Sequence, residues 1–530
     1  MRQNGRMGTS RPANQFRQRG IGEPPCHVAA AEGPRGRMLA DDWPRLINAS
    51  VVEGHMRLHR SQQHFIRHAV ALLAVLGACS ERPTAPTRAE PAVVSSESES
   101  GHENGNDRDH NVRCDADNAG ITLPAGFCAL VVADLVEDGQ PAQARHMAVT
   151  PNGDLFVAIN SPGNHNPSFG IIGLRDRDGD GHADDQSRFS AGLGGSGIAW
   201  DDGRLFLGAN DRVLRFRLPN GRLTPVGSPD VAVAGLPNTG DHISKTVVIG
   251  DHGQLFVNIG SASNSCQVAN RQLESPGVFP CPELPIRAGV WLFNAQGTNQ
   301  SEASGTHFAT GYRNLVALAI NLSNGGLYTV QQGRDMLFEN WPQFYTQDQS
   351  ANLPAEEFVR VTRGSNNGWP YCYFDAIAEH KKVLAPEYGG DGHRVRGAQG
   401  IDCASFNQPF LTFGAHWSPD GMLFYDGTQF PSRFRGGAFI AFHGGFNRAP
   451  EPNEGFQVQF VPFGRDGQSS GPAETFADGF AGSTGPLPAT AKHRPVGVAE
   501  GPDGSLYVSD DKGGRIYRIV FKGNRERDHD

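Results

Sequence analysis

The chain has 530 residues, of which 67 are Gly and 36 are Pro. Turns are therefore dense and long amphipathic helical runs scarce, a pattern that points to many short strands. The net charge of −9 is spread along the chain with no long basic stripe in its body, which excludes nucleic acid as a partner and bears on solubility rather than fold.

Residues 1–55 read as an upstream over-extension of the reading frame, because a signal peptide begins near its Met and Met56 stands at the right distance. Within 56–79, Arg57, Arg60 and Arg67 precede an apolar run from Ala69 to Ala78. That run is too short to span a bilayer and fits the apolar part of an export signal. It ends in Leu76-Gly77-Ala78-Cys79, which resembles a bacterial lipobox, whose Cys is lipidated and becomes the mature N-terminus. An ordinary cleaved signal, with Cys79 incidental, is the alternative. Ser80 follows rather than Asp, so the resemblance implies the periplasmic side of the outer membrane, or else the periplasm. Residues 80–113 are rich in Glu, Ser and Pro and read as a flexible tether.

Setting aside Cys26 and Cys79 leaves Cys114, Cys128, Cys266, Cys281, Cys372 and Cys403. Export places them in an oxidising compartment, and nearest neighbours pair as 114–128, 266–281 and 372–403. The spacing does not prove that connectivity. Zinc is the rival, but no CxxC pair is present.

Six segments repeat one phrase: an apolar strand, a tight turn built on Asp-Gly, Asn-Gly or a close variant, and a second apolar strand. They lie at 146–160, 197–210, 246–260, 316–333, 416–427 and 496–511. The turn residues supply the positive φ of a tight hairpin, and the strands are rich in β-branched and aromatic residues. Third strands follow at 213–218, 289–294 and 514–521. Blades of a propeller run ~40–50 residues with insertions in loops, and radial closure leaves no long sheet edge exposed. The expectation is an all-β, six-bladed β-propeller over 114–522 with a charged tail at 523–530. Hairpins of a sandwich are the competing reading.

Several polar stretches stand where innermost strands begin. His242, Ser244 and Lys245 precede the third blade, and a His there has the pKa of a general base. Arg313-Asn314 opens the fourth blade, and Arg offers a fixed fork of donors for carboxylates. Gln332-Gly333 follows that blade's second strand, His416 stands just before the fifth turn, and Arg494 opens the sixth blade. Asn367-Gly368-Trp369-Pro370 reads as a rigid turn.

Together LPAGF (123–127), the His-x-Ser-x-basic stretch, GYRN (311–314), QQG (331–333), NNGWP (366–370) and the phrase at 494–519 resemble the glucose/sorbosone dehydrogenase family, soluble sugar dehydrogenases that use pyrroloquinoline quinone. FIAFHGGFNRAP (439–450) makes the sorbosone branch the nearer one. The resemblance implies oxidation of an aldose or sugar aldehyde, with hydride passing to the quinone and electrons then to a quinone or cytochrome acceptor. It implies His242 as general base and Arg313 as both cofactor contact and stabiliser of negative charge on the reduced cofactor. Lys245, Asn314, Gln332, His416 and Arg494 fall in cofactor-binding positions, and the carbonyls of Gly333 and Arg334 in calcium-ligand positions. A tricarboxylate quinone needs a cationic pocket, and a calcium ion would act on it as a Lewis acid with oxygen ligands. Ser261 stands where glucose-oxidising members carry an acid, Gly194-Gly195-Ser196-Gly197 departs from their second blade, and Arg334 replaces a common Pro.

A separate motif, Asp176, Asp178, Asp180 and Asp184, resembles the start of an EF-hand loop and implies a structural calcium, although Ser187 stands where the twelfth-position Glu belongs. Two rivals to the dehydrogenase remain: an exported ligand-binding or interaction propeller without catalysis, and a lactonase-like hydrolase with a central calcium. The hydrolase needs several inward Asp, Asn and Glu ligands, and the blade starts offer His, Arg and Asn instead.

Overall fold

The computed structural model describes residues 112–523 except 138, 161–169, 191, 465 and 483–484. The signal-peptide, tether and lipid-anchor expectations, Cys79 included, lie outside the described residues, as does most of the charged tail.

Six four-stranded antiparallel sheets follow one another along the chain. The first blade is Gln143–Val149, Leu155–Asn160, Gly170–Arg175 and Asp185–Phe189. The first strands of the other five are Gly195–Asp201, Val247–Gly250, Ala317–Asn321, Pro419–Phe424 and Pro495–Glu500. Each of these first strands touches the first strands before and after it, and the sixth touches the first, so the six close into a ring. The expected six-bladed propeller is the fold.

Both faces of a blade lie against neighbouring blades, so a second strand reads as a continuous apolar run. Leu155 to Ile159 are all buried. Small residues let the blades approach closely. A Cβ on Gly208 would sit 2.2 Å from the Lys245 carbonyl, and one on Gly421 2.0 Å from that of Val496. The turns behave as their residues require: Asp202 and Gly203 both have positive φ, as do His252 and Gly253.

The ring is closed by the N-terminal strand. Phe127–Asp134 pairs antiparallel with Arg515–Phe521 as the outer strand of the sixth blade. Phe127 packs edge-on against Phe430, Phe434 and Phe476 at 4.8, 5.4 and 5.1 Å between ring centres. Burying one such ring contributes about 1.5–3 kcal/mol, so the LPAGF segment acts here as a closing latch.

The fifth repeat does not fold as the sequence pattern predicts. Asp420-Gly421 is not a hairpin turn but part of the first strand, Pro419–Phe424, and the second strand is Ala438–Phe442. The reason is electrostatic: Asp420 is buried and paired with Arg145 at 3.1 Å, so it faces inward rather than capping a solvent turn.

The growing repeat spacing comes from insertions beside blades three and four. They carry two short helices, Leu337–Asn340 and Gln347–Asn352, and a hairpin of Cys372–Asp375 with Lys381–Leu384. A satellite core of Trp341, Tyr345, Trp369 and Tyr388 holds them together. Two of the three disulfides, Cys266–Cys281 and Cys372–Cys403, join that core, and Cys114–Cys128 pins the start of the closing strand. All three match the nearest-neighbour pairing. No helix among the described residues is long and apolar enough to cross a membrane.

Candidate functional site

A cavity of about 580 Å³ opens among the strand starts of the ring. His242, Arg313, Gln332, Gly333, His416 and Arg494 line it, so residues from blades three to six meet in one place as the sequence implied. Asn314 stands one step behind, its Nδ2 donating to Gln332 Oε1 at 2.8 Å. Lys245 is not among the lining residues. It is fully buried, its Nζ donates to the Ile243 carbonyl at 2.6 Å, and burial lowers its pKa to about 7. An extended backbone turns a side chain three positions on to the opposite side, which is why Lys245 parts from His242.

His242 is held by its Nδ1, which lies 3.0 Å from the Ser261 carbonyl and 2.9 Å from Ser261 Oγ. A carbonyl only accepts, and Ser261 Oγ spends its own proton on the Ser263 carbonyl at 2.7 Å, so Nδ1 carries the hydrogen. Nε2 is left as an unprotonated acceptor with no hydrogen-bond partner among the described residues. Burial, helped by Arg313, holds His242 well below its ordinary pKa, so the ring is neutral across ordinary pH.

Arg313 is buried, with four of its five N–H groups engaged by the protein. Its Nε donates to the Asn264 carbonyl, Nη1 to the Gly333 carbonyl at 2.8 Å, and Nη2 to Asn264 Oδ1 and Asp335 Oδ2. Asp335 also pairs with Arg271 at 3.1 Å and faces His416 Nδ1 at 3.5 Å. Burial opposes ionisation of Asp335, but Arg313 and His416 outweigh it and hold the carboxyl well below its usual range. Burial likewise pulls His416 down, and Asp335 more than offsets it, for a net rise. His416 Nε2 donates to the Ser350 carbonyl at 2.9 Å, so both ring nitrogens face acceptors. Glu356 is buried beside them; burial pushes it up to about 7, although Gly333 N–H donates to it at 2.6 Å.

On the far side Arg494 donates to the carbonyls of His443 and Gly444 at 3.0 and 2.6 Å. His443 Nε2 meets Asp511 at 2.7 Å, and Asp511 pairs with Arg145 at 2.7 Å. Gln332 Nε2 joins this network through Asp420 Oδ1 at 2.5 Å.

Three arginines and three histidines thus face only Asp241, Asp335 and Glu356 around the cavity. With Glu356 reluctant to ionise, that donor set suits a compact polyanion such as a tricarboxylate quinone. The Gly333 carbonyl already meets Arg313 Nη1, so an ion bound there would displace a guanidinium contact. The Arg334 side chain turns away from the cavity into a buried pair with Glu387. Asn367 and Trp369 of the NNGWP turn do not line the cavity; Trp369 Nε1 donates to the Asn264 carbonyl and so supports Arg313 from behind.

The aspartate loop comes together in part. Oxygens of Asp176, Asp178 and Asp184 lie within 4.8 Å of one another, without Asp180. Both oxygens of Asp176 already accept backbone N–H groups, from Gly179 at 2.7 Å and Gly181 at 2.8 Å.

Sequence reasoning missed Arg271, Asp335, Glu356 and His443. Three of them lay inside stretches already singled out: Asp335 two residues past Gly333, Glu356 in the stretch 355–372 that holds the NNGWP turn, and His443 in FIAFHGG. Arg271 belongs to an insertion with no repeat to place it.

The site is thus a cationic cavity among the strand starts of a propeller, holding a neutral histidine with an open nitrogen. The family model described as TrAA12-like matches residues 123–522, and the chain belongs to that family. A pyrroloquinoline quinone-dependent sugar dehydrogenase of Hypocrea jecorina is 25% identical over 298 residues, which cover 54% of this chain and 64% of that protein. The chain thus spans less than two thirds of that curated relative. Among solved structures, a Trichoderma reesei carbohydrate-active enzyme of family AA12 superposes with a TM-score of 0.59 at 20% identity, covering 76% of this chain and 98% of that one. The holo pyranose dehydrogenase quinone domain of Coprinopsis cinerea gives 0.58 at 20%, covering 76% and 97%. These two likenesses speak for the fold. The family expected from the sequence motifs is supported; the matches do not single out its sorbosone branch.

Proposed function

We propose that this chain is an exported pyrroloquinoline-quinone-dependent dehydrogenase that oxidises an aldose or sugar aldehyde. The observation that carries the reading is His242: a neutral imidazole, its Nδ1–H committed to Ser261, presenting Nε2 to a cavity ringed by arginines. Arg271 and Arg494 bind the cofactor carboxylates, and Arg313 stabilises the charge that grows on the reduced cofactor. His416 and Gln332 orient it. The quinone, when bound, supplies the two-electron acceptor for the substrate's hydride. His242 Nε2 takes the hydroxyl proton of the reacting carbon as its C–H bond breaks, and the cavity walls hold that hydroxyl within reach. A quinone or cytochrome then takes the electrons. The reading includes an oxidising compartment, which the three disulfides support, and a lipid anchor at Cys79.

Reconstitution of the purified chain with pyrroloquinoline quinone and calcium, followed by dye reduction with a panel of aldoses, tests this. Turnover that requires both quinone and sugar is expected. Failure to bind the quinone at all would leave the non-catalytic interaction propeller as the better account.

A further inference from the structure

The base depends on how the short turn after the third blade's second strand is held. Ser261 reaches His242 only because its hydroxyl proton is directed away, onto the Ser263 carbonyl. Ser263 is buried and its own hydroxyl donates to Glu283 Oε1, while the intervening Ala262 N–H donates to Glu283 Oε2. One carboxylate therefore grips two consecutive residues of the turn with its two oxygens. The Cys266 N–H donates to Ser263 Oγ at 2.9 Å, and the Cys266–Cys281 disulfide ties this turn to the segment that carries Glu283. On its other flank the turn is joined to the site: Ser261 N–H donates to the Arg313 carbonyl at 2.8 Å and Asp241 N–H to the Ala262 carbonyl at 2.9 Å.

We propose that Glu283 is a positioning residue that sets the tautomer of His242 through the Ser261–Ser263 turn. With the clamp in place, Ser261 Oγ offers lone pairs to Nδ1, so the hydrogen stays on Nδ1 and Nε2 stays open. Glu283 also holds the Ser261 carbonyl against Nδ1, because that carbonyl and the Ala262 N–H belong to one peptide unit. With the clamp gone, that peptide turns its carbonyl off Nδ1 and Ser261 Oγ rotates to donate there, which moves the hydrogen to Nε2 and leaves no base facing the cavity. An acid at position 261 would meet Nδ1 directly; here the carboxylate sits three hydrogen bonds away along the two serines. This rests on the proposed function only for what the open nitrogen does.

The test is nitrogen NMR of labelled histidine side chains in the full chain without cofactor, with the His242 signal assigned by its loss in His242→Gln. The wild type shows the Nδ1–H pattern. Glu283→Gln and Ser263→Ala each shift His242 toward the Nε2–H pattern, and the double variant shifts it no further, as expected for two links of one chain. If Glu283→Gln fails to fold, Ser263→Ala, which removes only a hydroxyl, decides alone. An unmoved His242 signal in a folded variant overturns the proposal. A shifted tautomer in a protein that oxidises no sugar would leave the positioning role standing and sink the dehydrogenase reading instead.

Discussion

Of two buried charge clusters, one lines the cavity and the other reaches it only through Gln332 and His443, and they are built differently. Arg313, Asp335 and His416 come from the neighbouring fourth and fifth blades, and Arg313 lies only 22 residues from Asp335. Arg145, Asp420 and Asp511 come from the first, fifth and sixth blades, and Arg145 reaches across 275 and 366 residues to its partners. The second cluster ties the chain's beginning to its end and so helps to close the ring. The first shapes the wall beside a histidine that keeps one nitrogen open. Buried ion pairs alone do not mark a site; what separates the two is the uncommitted acceptor next to the first.

The largest effect separating them is on turnover. His242→Ala lowers kcat by about 10²–10⁴-fold, the usual contribution of a general base, with quinone binding retained; steady-state dye reduction and a binding titration check both halves. Arg145→Met removes the guanidinium from two buried carboxylates and lowers stability by about 3–5 kcal/mol in denaturant unfolding, while folded molecules keep most of their kcat. Glu356 titrates at about 7 in the folded chain, above its unfolded value, so its contribution is full in acid and falls away as pH rises through about 7. Glu356→Gln removes that slope, a change on the order of 2–3 kcal/mol between acid and neutral pH, read from unfolding midpoints across pH. Arg271→Met weakens quinone affinity by about 10–100-fold, the loss of one charged hydrogen bond, with little change in stability because this side chain is partly exposed. kcat/KM stays level as pH falls through 6.5, the ordinary histidine value, and drops only in more acid solution, because burial and the nearby Arg313 hold His242 well below that value.

The ring was legible because a blade needs the same strand–turn–strand phrase each time, and both faces of each second strand are buried. The axial residues His242, Arg313, His416 and Arg494 were legible because they stand at fixed places against that phrase. Asp420 was misread as a turn residue, since Asp-Gly has the same local signature whether it caps a hairpin or faces a buried guanidinium. Asp335, Glu356 and Arg271 escaped because they belong to no repeat phrase, and their meaning comes from partners that only the folded chain brings to them. Glu283 is the extreme case, because among the described residues its carboxylate hydrogen-bonds only to the turn that holds the base.

The most direct measurement is an absorbance titration of the cofactor-free protein with pyrroloquinoline quinone, for the wild type and an Arg271→Ala/Arg494→Ala variant. Saturable binding of one quinone per chain, lost or greatly weakened in the variant, is the predicted result. No saturable binding by the wild type, or equal binding by the variant, would contradict the assignment of this cavity.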